Sequence, residues 1–412
     1  MNRRYLGLNG WQLLGLGVGA ASLAITWGLY NIFMPLLLRD FVSSSGMRGA
    51  IMGIDNVLGL ILVPIIGAWS DRIDGRLGRR LPFLVVSMPL AALLFAALPF
   101  AKAAFSTLMA VDILFLLAMT AFRAPLAALM PDHVAPSGRP HANAVLTMLG
   151  AVGGALGLLI LAPLSDVAMW FPFAVAGAVT LAALFAVRAA TTPHPDHVEE
   201  GVIQDDAPLI GTLLRDAGAL LGERTGGILL ILTAVFFAFF GYSALEAQFS
   251  TFATEQFGLT GGRAGLIMGV TIAGFVVMAL PAARLARRLG EMNTMRVGAL
   301  LLALWLVIAS FVASPANLAI WLGLGGASWA LVLVPAYPLV VNRGGDDRVG
   351  FYTGMYYLFG SGASILAPAS VGWAMDVLGN QVLLPAVAIS MVVTAVALTL
   401  ALRQNVTAVA TR

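Results

Sequence analysis

The chain has 412 residues, of which 60% are hydrophobic, 10% are charged and none is cysteine, with a formal charge of +3 and a mean hydropathy of +0.93. A soluble domain carries about 25% charged residues, so this composition excludes a soluble enzyme. Lack of cysteine excludes disulfides, thiolate metal sites and a cysteine nucleophile, and so small a net charge offers no footprint for nucleic acid.

Apolar runs separated by charged or turn-rich breaks predict spans at 13–38, 47–70, 82–101, 105–130, 142–164, 168–188, 226–249, 263–283, 295–313, 317–341, 349–375 and 381–402. Each approaches the roughly 20 residues a helix needs to cross a bilayer. Their continuous rather than alternating apolar character disfavours a β-barrel. The expectation is an all-α membrane protein with twelve transmembrane helices in two six-helix halves. The N-terminus, MNRRYLGLNGWQ, has the positive start of a signal peptide but no small-residue cleavage site, so the first run reads as a retained helix.

An even number of spans puts both termini on one side, and the basic residues say which. With a cytoplasmic start, eighteen of them fall inside and four outside (Arg39, Arg48, Lys102, Arg263), leaving Arg123 within a span. That follows the positive-inside rule. The expected location is a bacterial inner membrane with cytoplasmic termini, the chain working as a monomer in the lipid bilayer.

The longest polar interruption, 189–225, contains TTPHPDHVEE and then LIGTLLRDAGALL, which reads as an amphipathic helix on the cytoplasmic surface. It separates an N-terminal bundle, 1–188, from a C-terminal bundle, 226–412. The basic loop after the second span (DRIDGRLGRR) recurs in kind after the eighth (RLARRLGEMNTMR), and the loop after the fourth (DHVAPSGR) after the tenth (NRGGDDR). Two parallel halves of six make a transporter architecture with substrate bound near the midplane between them.

A charged residue in a span costs about 2.5 to 3.5 kcal/mol or more unless partnered or hydrated. Asp55, Asp112, Arg123 and Glu246 therefore stand out. Asp112 and Arg123, eleven residues apart, differ by only about 20° around a straight helix and about 16 Å along it, so they face one cavity without touching. Asp112, in the outer half of its span, is placed to load a proton from outside, and Arg123, nearer the cytoplasm, offers five donors to a polyhydroxylated ligand. Asp55 is a second proton-coupling candidate, beside Asn56, and Glu246 is accompanied by Gln248. Asn31, Tyr30, Trp329 and Tyr337, with Trp27, Tyr352, Tyr356 and Tyr357, supply rings and amides suited to sugar faces and hydroxyls. The G-x-x-x-G spacings fit close helix packing, and no phosphate loop is present. HExxH and GxSxG are likewise missing, so no enzyme is expected.

The loop after the second span reads Gly67-Ala-Trp-Ser-Asp71-Arg72-Ile-Asp-Gly-Arg76-Leu-Gly78-Arg79-Arg80-Leu-Pro82-Phe83. It resembles the helix 2 to 3 signature of the major facilitator superfamily, in the SDR...RxGRRxPF form of the sucrose carriers among the glycoside-pentoside-hexuronide:cation symporters. Asp112, ten residues, Arg123, then Ala-Leu-Met-Pro-Asp132, Arg139 and Ala142-Asn143 is similar to the fourth and fifth helices of those carriers. The resemblance implies proton-coupled symport of a sucrose- or maltose-like glycoside by alternating access. Asp112 would accept the proton, and Arg123 would bind sugar or couple it to protonation. Asp71, Arg72, Gly78, Arg79, Arg80, Asp132 and Arg139 would build a cytoplasmic gate. Gly59 and Val63 stand before Pro64 where melibiose-type sodium symporters place acids, so protons are the expected coupling ion, with no other cofactor and no metal. Proton-antiport export of sugars or amphipathic molecules is the alternative that the same acids allow.

Overall fold

The computed structural model describes residues 10–73, 75–195, 226–343 and 348–410. Twelve helices among them are long and apolar enough to cross a membrane. They are α1 (Gly10–Leu38), α2 (Ser45–Arg72), α3 (Leu81–Phe100), α4 (Phe105–His133), α5 (Pro136–Asp166), α6 (Phe171–Ala190), α7 (Gly227–Phe257), α8 (Gly261–Leu289), α9 (Glu291–Ser310), α10 (Pro315–Val341), α11 (Val349–Leu378) and α12 (Asn380–Gln404). All regular structure among the described residues is helical. The amphipathic helix expected within 209–221 lies outside them.

Local chemistry sets several boundaries. Pro82, Pro172 and Pro315 occupy the first turns of α3, α6 and α10, where a fixed φ is preorganised and no amide donor is needed. The helix α2 is interrupted: its first segment ends at Met52, Gly53 forms a turn by donating to Gly49 and Ala50, and the helix restarts at Ile54. Toward its end α5 loosens into a π turn, Gly157–Leu161, and a 3-10 turn, Ala162–Asp166.

The largest departure from the predicted spans is α7, which runs to Phe257 instead of ending near 249. Ser250, Thr251 and Thr254 interrupt the apolar run, but the first two are fully buried, so they read as helix interior once packed. Glu246 and Gln248 consequently lie well inside α7 rather than near its end.

Packing repeats between the halves of the sequence. In the first half α1 packs on α5 and α6, and α3 packs on α4 and α6; in the second α7 packs on α11 and α12, and α9 packs on α10 and α12. The second scheme is the first displaced by six helices, which is the parallel repeat that the loop motifs foreshadowed.

The chain forms two compact units that do not divide at the linker alone. The first takes the chain up to Phe41, from Ile54 into the linker, and Leu259–Gly269; the second takes Val42–Gly53, the rest through Gly258, and everything from Val270. The first unit is built on a ladder of rings: Phe33 on Phe173, Phe173 on Phe95, Phe95 on Phe115 and Phe115 on Tyr30, with centroids 4.8 to 5.6 Å apart. These rings tie α1, α3, α4 and α6 together. In the second unit Ala282, Ala330 and Leu331 form a tight apolar contact between α8 and α10 that Phe275 and Met278 extend.

Candidate functional site

In the first unit α4 carries Asp112 into the ring ladder. The residue is fully buried, and neither carboxylate oxygen has a hydrogen-bond partner. Tyr30 of α1, also fully buried, lies close enough to interact with Asp112, although its hydroxyl forms no hydrogen bond of ordinary geometry. Trp27 stacks on Tyr30 at 5.5 Å and Phe115 closes over it at the same distance. The carboxyl group expected to open toward outside water is thus sealed in this structure.

The break at Gly53 changes the setting of Asp55. Instead of lying mid-helix, Asp55 stands in the first turn of the restarted segment of α2, where the helix dipole favours a carboxylate. Its Oδ1 accepts a 2.6 Å hydrogen bond from Asn56 Nδ2, so the Asn56 amide serves Asp55. Asp55 interacts electrostatically with both Asp112 and Arg123. Arg123 lies against the glycine-smooth face of α2, where a Cβ on Gly59 would stand 3.9 Å from its Nη1. It is exposed, and an arginine that deep in a span needs water or a ligand around it rather than lipid. Tyr30, Asp112, Asp55 and Arg123 form one electrostatic series within one unit. Asn31 is half-buried on α1 next to it.

The second unit carries an aromatic wall. Trp329 of α10 stacks on Tyr242 of α7 with centroids 4.8 Å apart and planes only 3° from parallel. Phe239 meets both Trp329 and Tyr356 edge-on, and Tyr337 does the same to Tyr356. Glu246, one turn beyond Tyr242, interacts with its hydroxyl. Tyr337 is partly exposed and its hydroxyl pairs with Thr353 Oγ1 at 3.1 Å. Tyr242 and Phe239 were not singled out from sequence; four-residue spacings to Glu246 and Ser243 were the available signal, since they put both rings on the faces that carry those polar groups.

Gln248 belongs to neither group. It is buried, and its Nε2 donates to Ser45 O at 3.0 Å and Pro368 O at 2.8 Å, joining α7 to the first segment of α2 and to α11. Arg48, counted among outer-loop cations, lies inside α2 and is buried, donating to Val42 O, Ser43 O and Ser45 Oγ, with Glu255 at 3.6 Å.

The loop residues converge on Arg80. Its Nε meets Asp132 Oδ2 at 2.9 Å, its Nη2 meets Asp71 Oδ1 at 2.5 Å, and its Nη1 donates to Ser70 Oγ. Burial works against the Arg80 charge, but Asp132 and Asp71 outweigh it and hold its pKa above the ordinary arginine value. Arg139 donates to the carbonyls of Val134 and Pro131, closing the end of α4. Gly78 adopts φ +77°, and a Cβ there would collide with the Pro193 carbonyl. Arg79 lines a cavity of about 200 Å³ with Arg80, Asp132 and His133, while Arg72 is exposed. Among the described residues no cluster of histidine or acidic side chains is suited to hold a metal.

The sequence model of the major facilitator superfamily matches residues 16–368. The chain belongs to the major facilitator superfamily. It is therefore a multi-pass membrane transporter. A stretch of 76 residues, 18% of the chain, is 30% identical to proton-associated sugar transporter A of Mus musculus, and an equal match is found in Rattus norvegicus. That stretch spans only 10% of the length of these curated relatives. Among solved structures, a mutant form of the nucleoside transporter NupG superposes with a TM-score of 0.75 at 14% identity, over 95% of this chain and 99% of that one. An inward-facing, occupied bacterial homologue of the human lysosomal transporter Spinster gives 0.69 at 15%, over 95% and 96%. A bacterial homologue of the iron transporter ferroportin, also inward-facing, gives 0.69 at 14%, over 95% and 98%. These likenesses show the fold.

Proposed function

We propose that this transporter moves a sucrose- or maltose-like glycoside together with a proton, with Asp112 as the group that takes the proton. The observation that carries the reading is the Asp112 carboxyl group, sealed among Tyr30 and Phe115 with both oxygens unpartnered. A buried carboxylate in that state carries a cost that a bound proton removes. Asp55 and Arg123 extend the same series toward solvent and let the charge of one group be felt by the next. The aromatic wall of Tyr242, Trp329 and Tyr356, with Glu246 beside it, offers the flat apolar faces and the acceptor that a glycoside uses. The short match to proton-associated sugar transporters supports both the ion and the substrate class.

In this cycle protonation of Asp112 and binding of sugar together permit the change of state, and loss of both on the other side resets it. One positive charge crossing with the sugar gains about 2.3 kcal/mol per 100 mV, equivalent to roughly 50-fold accumulation. With protons entering down their gradient, symport of this kind runs as uptake. The test is uptake of labelled sucrose and maltose into proteoliposomes under an imposed inward proton gradient. Accumulation above equilibrium that collapses with a protonophore supports the reading; sugar entry indifferent to the gradient refutes proton coupling, and no entry of either sugar refutes the substrate class.

A further inference from the structure

The cavity of about 200 Å³ at the end of α4 takes its walls from three stretches of the first unit: the loop entering α3 (within 77–81), the last turn of α4 (within 129–133) and the start of the linker (192–195). These walls are fastened to one another. His133, buried at the end of α4, donates from Nδ1 to Leu129 O at 2.8 Å, which leaves Nε2 to accept from Thr192 N at 3.1 Å. Gly78, with φ +77°, brings the loop backbone so close to the Pro193 carbonyl that a Cβ would collide with it. The space is thus bounded by fixed contacts of the folded unit.

The charges lining it do not cancel. Asp132 is neutralised by Arg80 at 2.9 Å, and Arg80 also serves Asp71. Arg79 is half-buried, lines the cavity and forms no hydrogen bond or ion pair with any described residue. Helix α3 begins at Leu81 without a side-chain cap, and Leu81 lines the same space, so the positive end of the helix dipole fronts it. A spare guanidinium beside an uncapped helix start suits an anion, and the planar fork of arginine meets phosphate oxygens two at a time. The volume is below the roughly 300 Å³ at which sites for drug-sized ligands begin, so the space takes a phosphate with few attached atoms. Leu77, Leu129 and Pro193 offer those atoms an apolar side. Asp132 lies about 13 Å along α4 from Arg123, which separates an occupant here from a solute held by the polar series.

We propose that this cavity is a binding site for the phosphate group of a small phosphomonoester, with Arg79 as its principal ligand. The site is separate from that of the transported solute, and the proposal rests on neither the sugar nor the proton assignment. A soluble organic phosphate and the headgroup of phosphatidic acid present the same monoester, and the test separates these two sources.

The experiment is thermal unfolding of the purified, delipidated full chain with glycerol 3-phosphate or short-chain phosphatidic acid, against sodium chloride of equal ionic strength. A ligand bound only by the folded state stabilises it by mass action, so the melting temperature should rise by about 3 °C and saturate as for one site. Arg79→Gln should lose the shift, and Arg79→Lys, which keeps the charge without the fork, should retain only part of it. Leu77→Trp, at an exposed wall position, should lose it with every charge in place and serves where Arg79→Gln does not fold. Because the chain lacks cysteine, Thr192→Cys gives a local readout: the probe that shifts melting should slow its reaction with a maleimide about threefold at twice the Kd. A shift with glycerol 3-phosphate supports the site with a soluble occupant; one with phosphatidic acid alone, lost in Arg79→Gln, supports it with a lipid headgroup. No shift beyond sodium chloride, a shift that persists in both Arg79→Gln and Leu77→Trp, or a Thr192→Cys that stays unprotected overturns the site. No gradient or sugar is used, so failure here is separate from failure of the symport reading.

Discussion

The polar series of the first unit and the aromatic wall of the second lie at opposite extremes of how a membrane protein uses polarity. Around Asp112 the chain buries a carboxyl group and leaves its oxygens without partners, although a ladder of phenylalanines surrounds it. Around Trp329 the polar atoms stand at the edges, Glu246 on Tyr242 and Thr353 on Tyr337, and the rings meet each other. Under the proposed function the first arrangement is suited to taking up a proton, and the second offers ring surface with its polar atoms kept at the edges. Under the proposed function, coupling and recognition fall to different units, and variants on the two sides should fail in different ways.

The largest effect is expected at Asp112. Asp112→Asn should abolish accumulation above equilibrium while leaving sugar exchange across the membrane, as counterflow with unlabelled sugar measures. Accumulation that survives breaks the comparison at its root. Next is Trp329→Ala, which should raise KM by about tenfold with the gradient dependence intact, while Trp329→Phe restores part of the loss. A Trp329 variant that uncouples instead would show that the wall takes part in coupling.

Three further variants test the stability of the first unit. Arg80→Ala removes the partner of Asp71 and Asp132 and should cost about 3 kcal/mol, read as a fall in the melting temperature of the purified protein. Arg80→Lys should recover little, because one ammonium cannot reproduce the fork that meets three acceptors. The smallest stability change is expected for Tyr30→Phe, which deletes a buried hydroxyl without a hydrogen-bond partner and should shift stability by no more than about 1 kcal/mol. The same variant should still alter the pH profile of uptake, since Tyr30 faces Asp112.

Much of this is legible in the sequence. Span number and order follow from apolar runs, and Asp112, Asp55 and Arg123 announce themselves because charge within such runs is costly. The helix break at Gly53 was hidden, because a single glycine in an apolar run looks like a packing residue. The extension of α7 was hidden for the opposite reason: Ser250 and Thr251 look like an exit to water until their burial is seen. Tyr242 escaped notice since one aromatic ring in a span is ordinary, and only its parallel stack on Trp329 sets it apart. Asp376 and Gln248 owe their places to α2, far away in sequence, and nothing local to either residue encodes that partner.

The central claim, that sugar and proton travel together through the Asp112 group, is tested most directly with no imposed gradient. A pH electrode in a weakly buffered proteoliposome suspension should record alkalinisation of the outer medium when sucrose or maltose is added to the wild-type protein, and none with Asp112→Asn. Sugar entry without alkalinisation, or equal alkalinisation in the variant, would contradict the account.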